Sequence, residues 1–205
     1  MTDDANWIGR VSHTSVVYNN KMFIMGGVST SNSRLNDVWS STDGSTWVEA
    51  TAAADWSARD AFNSVVYNDK IFVMGGYSDG PGKLNDVWSS VDGATWDLLT
   101  GTANWSARYG HTSVVYEDKI FIMGGYDNSK LNDVWSSSDG GTWTSNADWI
   151  ARSFSTSIVY DNKMFVMGGS DGSSHVNDVW YFTNNTWIEL MEPTGWSSRG
   201  SLNSI

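Results

Sequence analysis

Four times in 205 residues the chain repeats one arrangement: an apolar run ending in Gly-Gly, a polar loop of variable length, then Asn-Asp-Val-Trp. Trp-x-x-Arg opens each copy, at Trp7–Arg10, Trp56–Arg59, Trp105–Arg108 and Trp149–Arg152, and recurs at Trp196–Arg199. The copies are thus spaced by 49, 49, 44 and 47 residues. Gly-Gly follows at Gly26-Gly27, Gly75-Gly76, Gly124-Gly125 and Gly168-Gly169, and the Asn-Asp-Val-Trp segments end at Trp39, Trp88, Trp135 and Trp180. A Thr-Trp closes the copies at Trp47, Trp96, Trp143 and Trp187. A unit of this length cannot bury its apolar surface alone, so neighbouring copies must stack to make a core. All 13 Trp fall on these three repeat sites, which marks them as structural rather than ligand-stacking.

Each copy reads as four short strands. In the first copy these are Ser12–Tyr18, Lys21–Gly26, about Asp37–Ser41, and about Thr46–Ala50. The first two are separated by Asn19-Asn20, with Asn68-Asp69, Glu117-Asp118 and Asp161-Asn162 as equivalents. Asn and Asp tolerate positive φ, so these pairs predict two-residue hairpin turns. The second strand is the discriminating one: Met22–Met25, Ile71–Met74, Ile120–Met123 and Met164–Met167 are apolar at every position. A strand apolar on both faces must be covered on both. A sandwich would leave outward positions polar, whereas a propeller packs each four-stranded blade between two others. Ser15, Ser64, Ser113, Ser157 and Ser204, each five residues after the motif Arg, suit an innermost strand with room only for small side chains. The paired glycines suit close backbone approach or positive φ.

Composition excludes several functions. A net charge of −11 disfavours nucleic acid and anionic membrane surfaces. The absence of Cys removes disulfides, thiolate metal sites and cysteine nucleophiles. No apolar stretch approaches the ~18 residues that span a bilayer, so membrane insertion is not expected. No signal peptide is visible at Met1–Asn6, and localisation stays open between cell surface or exterior and cytoplasm.

These residues resemble the kelch repeat. More narrowly, Trp-Ser-Ala-Arg, Met-Gly-Gly, Asn-Asp-Val-Trp and Ser-x-Asp-Gly-x-Thr-Trp look like the kelch-type repeats common in bacterial surface and secreted proteins. The resemblance implies an all-β fold: a β-propeller of four-stranded antiparallel blades, at approximately 7–55, 56–104, 105–148 and 149–195. Residues 196–205 copy the start of a fifth, within one domain spanning 1–205. Kelch propellers usually close with six or seven blades, so the expectation is part of a longer propeller, with further blades or self-association completing the ring. Ser41–Trp47, Ser90–Trp96 and Ser137–Trp143 are similar to the Asp-box of sialidase-like propellers but one residue shorter, and read as turn staples. The fourth copy replaces them with Tyr181–Asn185.

Two sets of residues are candidates for binding. The resemblance places Arg10, Arg59, Arg108 and Arg152, with Arg199, around one mouth of a central channel, where they suit a carboxylate or sulfate ligand. The competing reading pairs each Arg with Asp37, Asp86, Asp133 or Asp178 to pin the blades, and identical recurrence favours it. The other set lies where the copies disagree, in the loops after Gly-Gly: Tyr77, Asp79, Tyr126, Asp127, Asp171 and His175, suited to sugar or peptide. His13 and His111 share a repeat position but make no metal site, and no loop has calcium-site spacing. No catalytic residue, metal or cofactor is expected. The leading functional expectation is a non-catalytic recognition or adhesion module for protein or glycan. The alternatives are a glycan-active enzyme of sialic-acid mutarotase or sialidase type, and a structural spacer.

Overall fold

The computed structural model describes residues 5–146, 149–184 and 186–190. The expected fifth-blade strand in 196–205 and the segment 191–195 lie outside them. Every regular element among the described residues is a β-strand. The chain divides into two compact units, Met1–Ala103 and Asn104–Ile205. In the first, β1 (Arg10–Val11), β2 (Thr14–Tyr18), β3 (Lys21–Ser29), β4 (Arg34–Ser41) and β5 (Val48–Thr51) form one sheet. β6 (Asn63–Tyr67), β7 (Lys70–Ser78), β8 (Gly82–Ser90) and β9 (Asp97–Thr100) form the next. The second unit holds β10 (Thr112–Tyr116), β11 (Lys119–Met123), β12 (Val134–Ser137) and β13 (Thr144–Ser145). Its other sheet is β14 (Thr156–Tyr160), β15 (Lys163–Met167), β16 (Val179–Thr183) and β17 (Thr186–Glu189). Each sheet is an antiparallel blade with its strands paired in chain order, except that the short β1 pairs with β3, beside β2, in the first.

The first hairpin of every blade turns on two residues with positive φ, 47° and 57° at Asn19-Asn20 and close values at the other three. This is the backbone that matches strand twist in a two-residue loop, and Asn and Asp adopt it at least cost. Beyond the hairpin the strands depart from the expected bounds. β2 begins at Thr14 because Ser12 is left-handed, with φ 55°. β3 and β7 do not stop at Gly-Gly; they run to Ser29 and Ser78 through a register shift between Met25 and Gly27 and between Met74 and Gly76. β4 and β8 accordingly start early, at Arg34 and Gly82. In the second unit the loops are tighter, and single bridges, Tyr126 to Lys130 and Ser170 to His175, carry the pairing past the glycines.

At Gly-Gly the neighbouring repeat presses close. Gly27 N–H donates to Arg59 C=O at 2.9 Å, and Gly125 N–H to Arg152 C=O at 2.8 Å. A Cβ on Gly124 would stand 2.5 Å from the Arg152 carbonyl oxygen, and both glycines of the pair have positive φ.

Within each unit the blades meet along their first strands, β2 on β6 and β10 on β14. Thr14 and Ser64 hydroxyls lie 2.5 Å apart there, and Thr112 and Ser157 hydroxyls 2.6 Å apart, which explains the small residue five places after each Arg. Tyr18 Oη donates to Asp69 C=O and Tyr116 Oη to Asn162 C=O, tying each strand end to the next blade's hairpin turn. The doubly apolar second strands are covered as expected. Ile71 and Val73 pack with Phe23 and Met25 of the preceding blade, and Met164 and Val166 pack with Phe121 and Met123.

At Gly76, φ is 99° and an added Cβ would lie 2.6 Å from Phe62 Cβ and 2.8 Å from the Asp60 carbonyl oxygen. Gly80 has nothing within 4 Å. Gly76→Ala is expected to cost about 2 kcal/mol or more, and Gly80→Ala to stay within about 0.5 kcal/mol. Urea unfolding of both variants checks this.

Candidate functional site

The motif residues of each repeat converge on one buried ion pair. Arg59 donates from both terminal nitrogens to the two oxygens of Asp86 at 2.7 Å, and its Nη1 also donates to Gly75 C=O at 2.9 Å. Trp88 Nε1–H donates to Asp86 Oδ2 at 2.7 Å, and the guanidinium lies 5.7 Å from the Trp56 ring centre. Trp56 in turn meets Trp96 edge to face at 5.8 Å. The same Arg–Asp–Trp bonds recur around Arg10–Asp37, Arg108–Asp133 and Arg152–Asp178, and the Trp pair is edge to face again in the first and third blades but stacked in the fourth, Trp149 on Trp187. The motif Asn fixes the connection to the next repeat: Asn36 Nδ2 donates to Ala54 and Trp56 C=O, and Asn85 Nδ2 to Ala103 C=O.

All four guanidinium side chains are 0% exposed. Their donors face a carboxylate and a backbone carbonyl, the bidentate geometry in which Arg–carboxylate contacts are strongest. Burial raises the Asp37, Asp133 and Asp178 carboxyls, but hydrogen bonds from Arg and Trp outweigh it and hold all three below 3.8. The structure therefore places Arg10, Arg59, Arg108 and Arg152 inside the blades, with no guanidinium edge presented to a ligand.

The Ser and Asp of Ser-x-Asp-Gly are likewise structural. Ser41 Oγ accepts from Gly44 N–H at 2.9 Å, and Asp43 Oδ1 accepts from Ser45 and Thr46 N–H at 2.7 Å. Those backbone bonds depress the Asp43 carboxyl to about 2.

The loop candidates sit beside one strand extension per blade, where the residue after the motif Arg pairs with the residue after Gly-Gly. These pairs are Val11–Val28, Asp60–Tyr77, Tyr109–Tyr126 and Ser153–Ser170. In the first unit Arg34 reaches across to the second blade, bonding Asp60 at 2.5 Å and Asp79, with its guanidinium 4.6 Å from the Tyr77 ring centre. Asp79 is 71% exposed in its side chain. In the second unit the Tyr109 ring lies 5.5 Å from Tyr126 and 6.2 Å from Phe154. Lys130 bonds Ser153 Oγ and stands 5.7 Å from the Tyr126 ring centre. Phe154 has φ 56°, a strained conformation for a bulky residue, held by its N–H bond to Gly110 C=O at 2.7 Å. Asp127 and Asp171 accept hydrogen bonds from their own loops, and His175 is exposed beside Ser170.

The geometry thus joins Tyr77 with Asp79, through Arg34, and separately Tyr126 with Lys130. It also adds Asp60, Tyr109 and Phe154, which sequence reasoning did not single out. The available signal was that the residue after each motif Arg differs in every copy: Val11, Asp60, Tyr109 and Ser153.

A family model described as the KLHDC2/KLHL20/DRC7 Kelch-repeats domain matches residues 2–145 and again 95–201. The chain belongs to the kelch-repeat family, and its four sheets are kelch β-propeller blades. No curated protein shows significant similarity to it.

Two outcomes follow from the buried groups. Arg59→Ala is expected to destabilise by about 3 kcal/mol, since it strands a carboxylate that is only 14% exposed. A double-mutant cycle with Asp86→Ala should return a coupling of at least about 1 kcal/mol. His111, at the repeat position of Phe62, is driven to about 3 by burial and by Arg108, against the pull of Asp133. Its folded value lies below the ordinary 6.5, so its neutral form supports stability above pH 6.5, and that support is lost as pH falls toward 3. In His111→Phe, the fall in urea midpoint between pH 6.5 and 4 should be shallower than in the wild type, with His13, also lowered by burial and by Arg10, keeping a share of it.

Proposed function

We infer that this chain, built of kelch repeats, is a protein-interaction module, as kelch-repeat domains are in general. We propose that it recognises a partner protein through the two variable edges, Arg34, Asp60, Tyr77 and Asp79 in one unit and Tyr109, Tyr126, Lys130 and Phe154 in the other. The observation that carries this reading is the contrast between framework and edge. The Arg–Asp clusters are the same in all four blades, while the paired positions beside them differ in every one. Rigid scaffolds concentrate recognition in such positions. Tyr side chains supply contact area at low entropic cost. The net charge of −11 and the exposed Asp79 favour an extended, basic segment of the partner.

The glycan-active alternative relied on arginines to grip a sugar carboxylate, and those guanidiniums are engaged by Asp. A glycan ligand remains compatible only with the tyrosine edges, and a spacer role would leave them idle. A displayed library of basic peptides provides the test. Selected peptides should bind at least tenfold more weakly to Tyr77→Ala or Tyr126→Ala, about 1.4 kcal/mol, with unchanged thermal midpoints. Peptides that bind both variants as tightly as the wild type, or turnover of acidic sugars, would overturn the proposal.

A further inference from the structure

The guanidinium of Arg34 is bound differently from those of the four motif arginines. Each of these puts two nitrogens on one carboxylate and is 0% exposed. Arg34 sends Nε to Asp60 and Nη1 to Asp79, lies against the Tyr77 ring, and is 21% exposed in its side chain. Asp60, Tyr77 and Asp79 all come from the second repeat. The Asp60 and Tyr77 backbones bond each other in both directions, at 3.0 and 2.9 Å, which fixes the spacing of the three groups. Arg34 comes from the first repeat, where it is the first residue of β4 and its backbone pairs with Val28. Its side chain can therefore swing out without breaking a strand pair.

Such a swing would leave two carboxylates and an aromatic face without a cation. The Asp60 side chain is only 18% exposed, so its charge keeps a strong demand for one. Asp79 is 71% exposed, and ion pairs this open to water hold weakly, so an occupant can exchange. A planar guanidinium answers all three groups at once, with N–H edges for the carboxylates and a face for the ring, which a compact and strongly hydrated ammonium does less well. The set is confined to this blade. The same three positions hold Val11, Val28 and Thr30 in the first repeat, Tyr109, Tyr126 and Asn128 in the third, and Ser153, Ser170 and Gly172 in the fourth. In the second unit the counterpart of Arg34, Lys130, reaches the hydroxyl of Ser153 and no carboxylate takes its place there. Framework groups recur in every copy, and this cage does not.

We propose that Asp60, Tyr77 and Asp79 form a guanidinium-binding site, held in this structure by Arg34 and taken over by an arginine of the partner protein. Arg34 is then a self-ligand: it covers the cage until a better-placed arginine displaces it, and it lowers the apparent affinity of any that tries. The incoming arginine rests on the protein-recognition reading above; the site itself does not.

Arg34→Ala in the full chain empties the site, and methylguanidinium is the probe, followed by NMR through the Tyr77 ring resonances. Binding should be saturable and about tenfold or more tighter than to the wild type, whose site is open only for the fraction of time that Arg34 is away. Methylammonium should bind more weakly than methylguanidinium. Arg34→Gln, which keeps the side-chain stem, is measured alongside and should show the same order. Adding Asp79→Asn, at an exposed position, to Arg34→Ala should abolish the gain. No saturable binding in either Arg34 variant, equal affinity in variant and wild type, or a gain that survives Asp79→Asn overturns the site. Basic peptides selected on the wild type should in turn bind Arg34→Ala about tenfold more tightly and lose that gain when their arginines are replaced by lysine. Peptides that need Tyr77 but gain nothing from Arg34→Ala would sink this inference and leave the protein-recognition reading standing. Methylguanidinium binding with no peptide selected would do the reverse.

Discussion

The bidentate pair between the motif Arg and Asp is the contact on which each blade depends. Arg59 comes from the segment entering the blade, Asp86 from its third strand, and the Gly75 carbonyl from the bulge within its second. One guanidinium therefore fixes three backbone segments, and the Trp56 ring covers it while Trp88 satisfies the carboxylate's remaining acceptor. A buried charge without such partners would be strongly unfavourable. Trp-x-x-Arg, Gly-Gly and Asn-Asp-Val-Trp are thus three parts of one cluster. Remove any of them and a charge or a carbonyl is left buried and unpaired.

That cluster also separates framework from recognition. Because its charged groups are paired inside each repeat, the strand extension just beyond Gly-Gly can change from copy to copy. The results are unlike edges on similar backbones: an Arg34 clamp across Asp60, Asp79 and Tyr77 in one unit, and stacked Tyr109, Tyr126 and Phe154 in the other. Phe154 holds left-handed backbone at the position of Ser12, Ala61 and Gly110, where the chain turns into the inner strand. Tolerating a bulky residue there shows how firmly the surrounding hydrogen bonds define the path.

Much of the fold was legible because local chemistry and tertiary demand agree. Asn19-Asn20 and its equivalents were readable as turns from residue type alone, and Ile71–Met74 demanded cover on both faces. Strand bounds were less legible. Gly-Gly was read as the end of a strand, whereas Gly26 and Gly27 form a bulge and β3 continues to Ser29. Gly marks a positive φ in either case, so its identity does not say whether the pairing resumes beyond it. Arg10, Arg59, Arg108 and Arg152 were read both as a ligand-binding ring and as blade pins. Only coordinates show which carboxylate each one meets, 25 to 27 residues away.

By itself, the sequence determined the repeat, its four strands, its tight turns and the burial of large apolar surface between copies, because these follow from periodicity and φ preference. The tertiary structure decided which side chains become neighbours across the chain. It sealed the arginines away from solvent and set Asp60 and Tyr109 beside Tyr77 and Tyr126. The reason is physical: burial and pairing depend on what the stacked blades bring into contact, and that contact is not written in any one copy of the repeat.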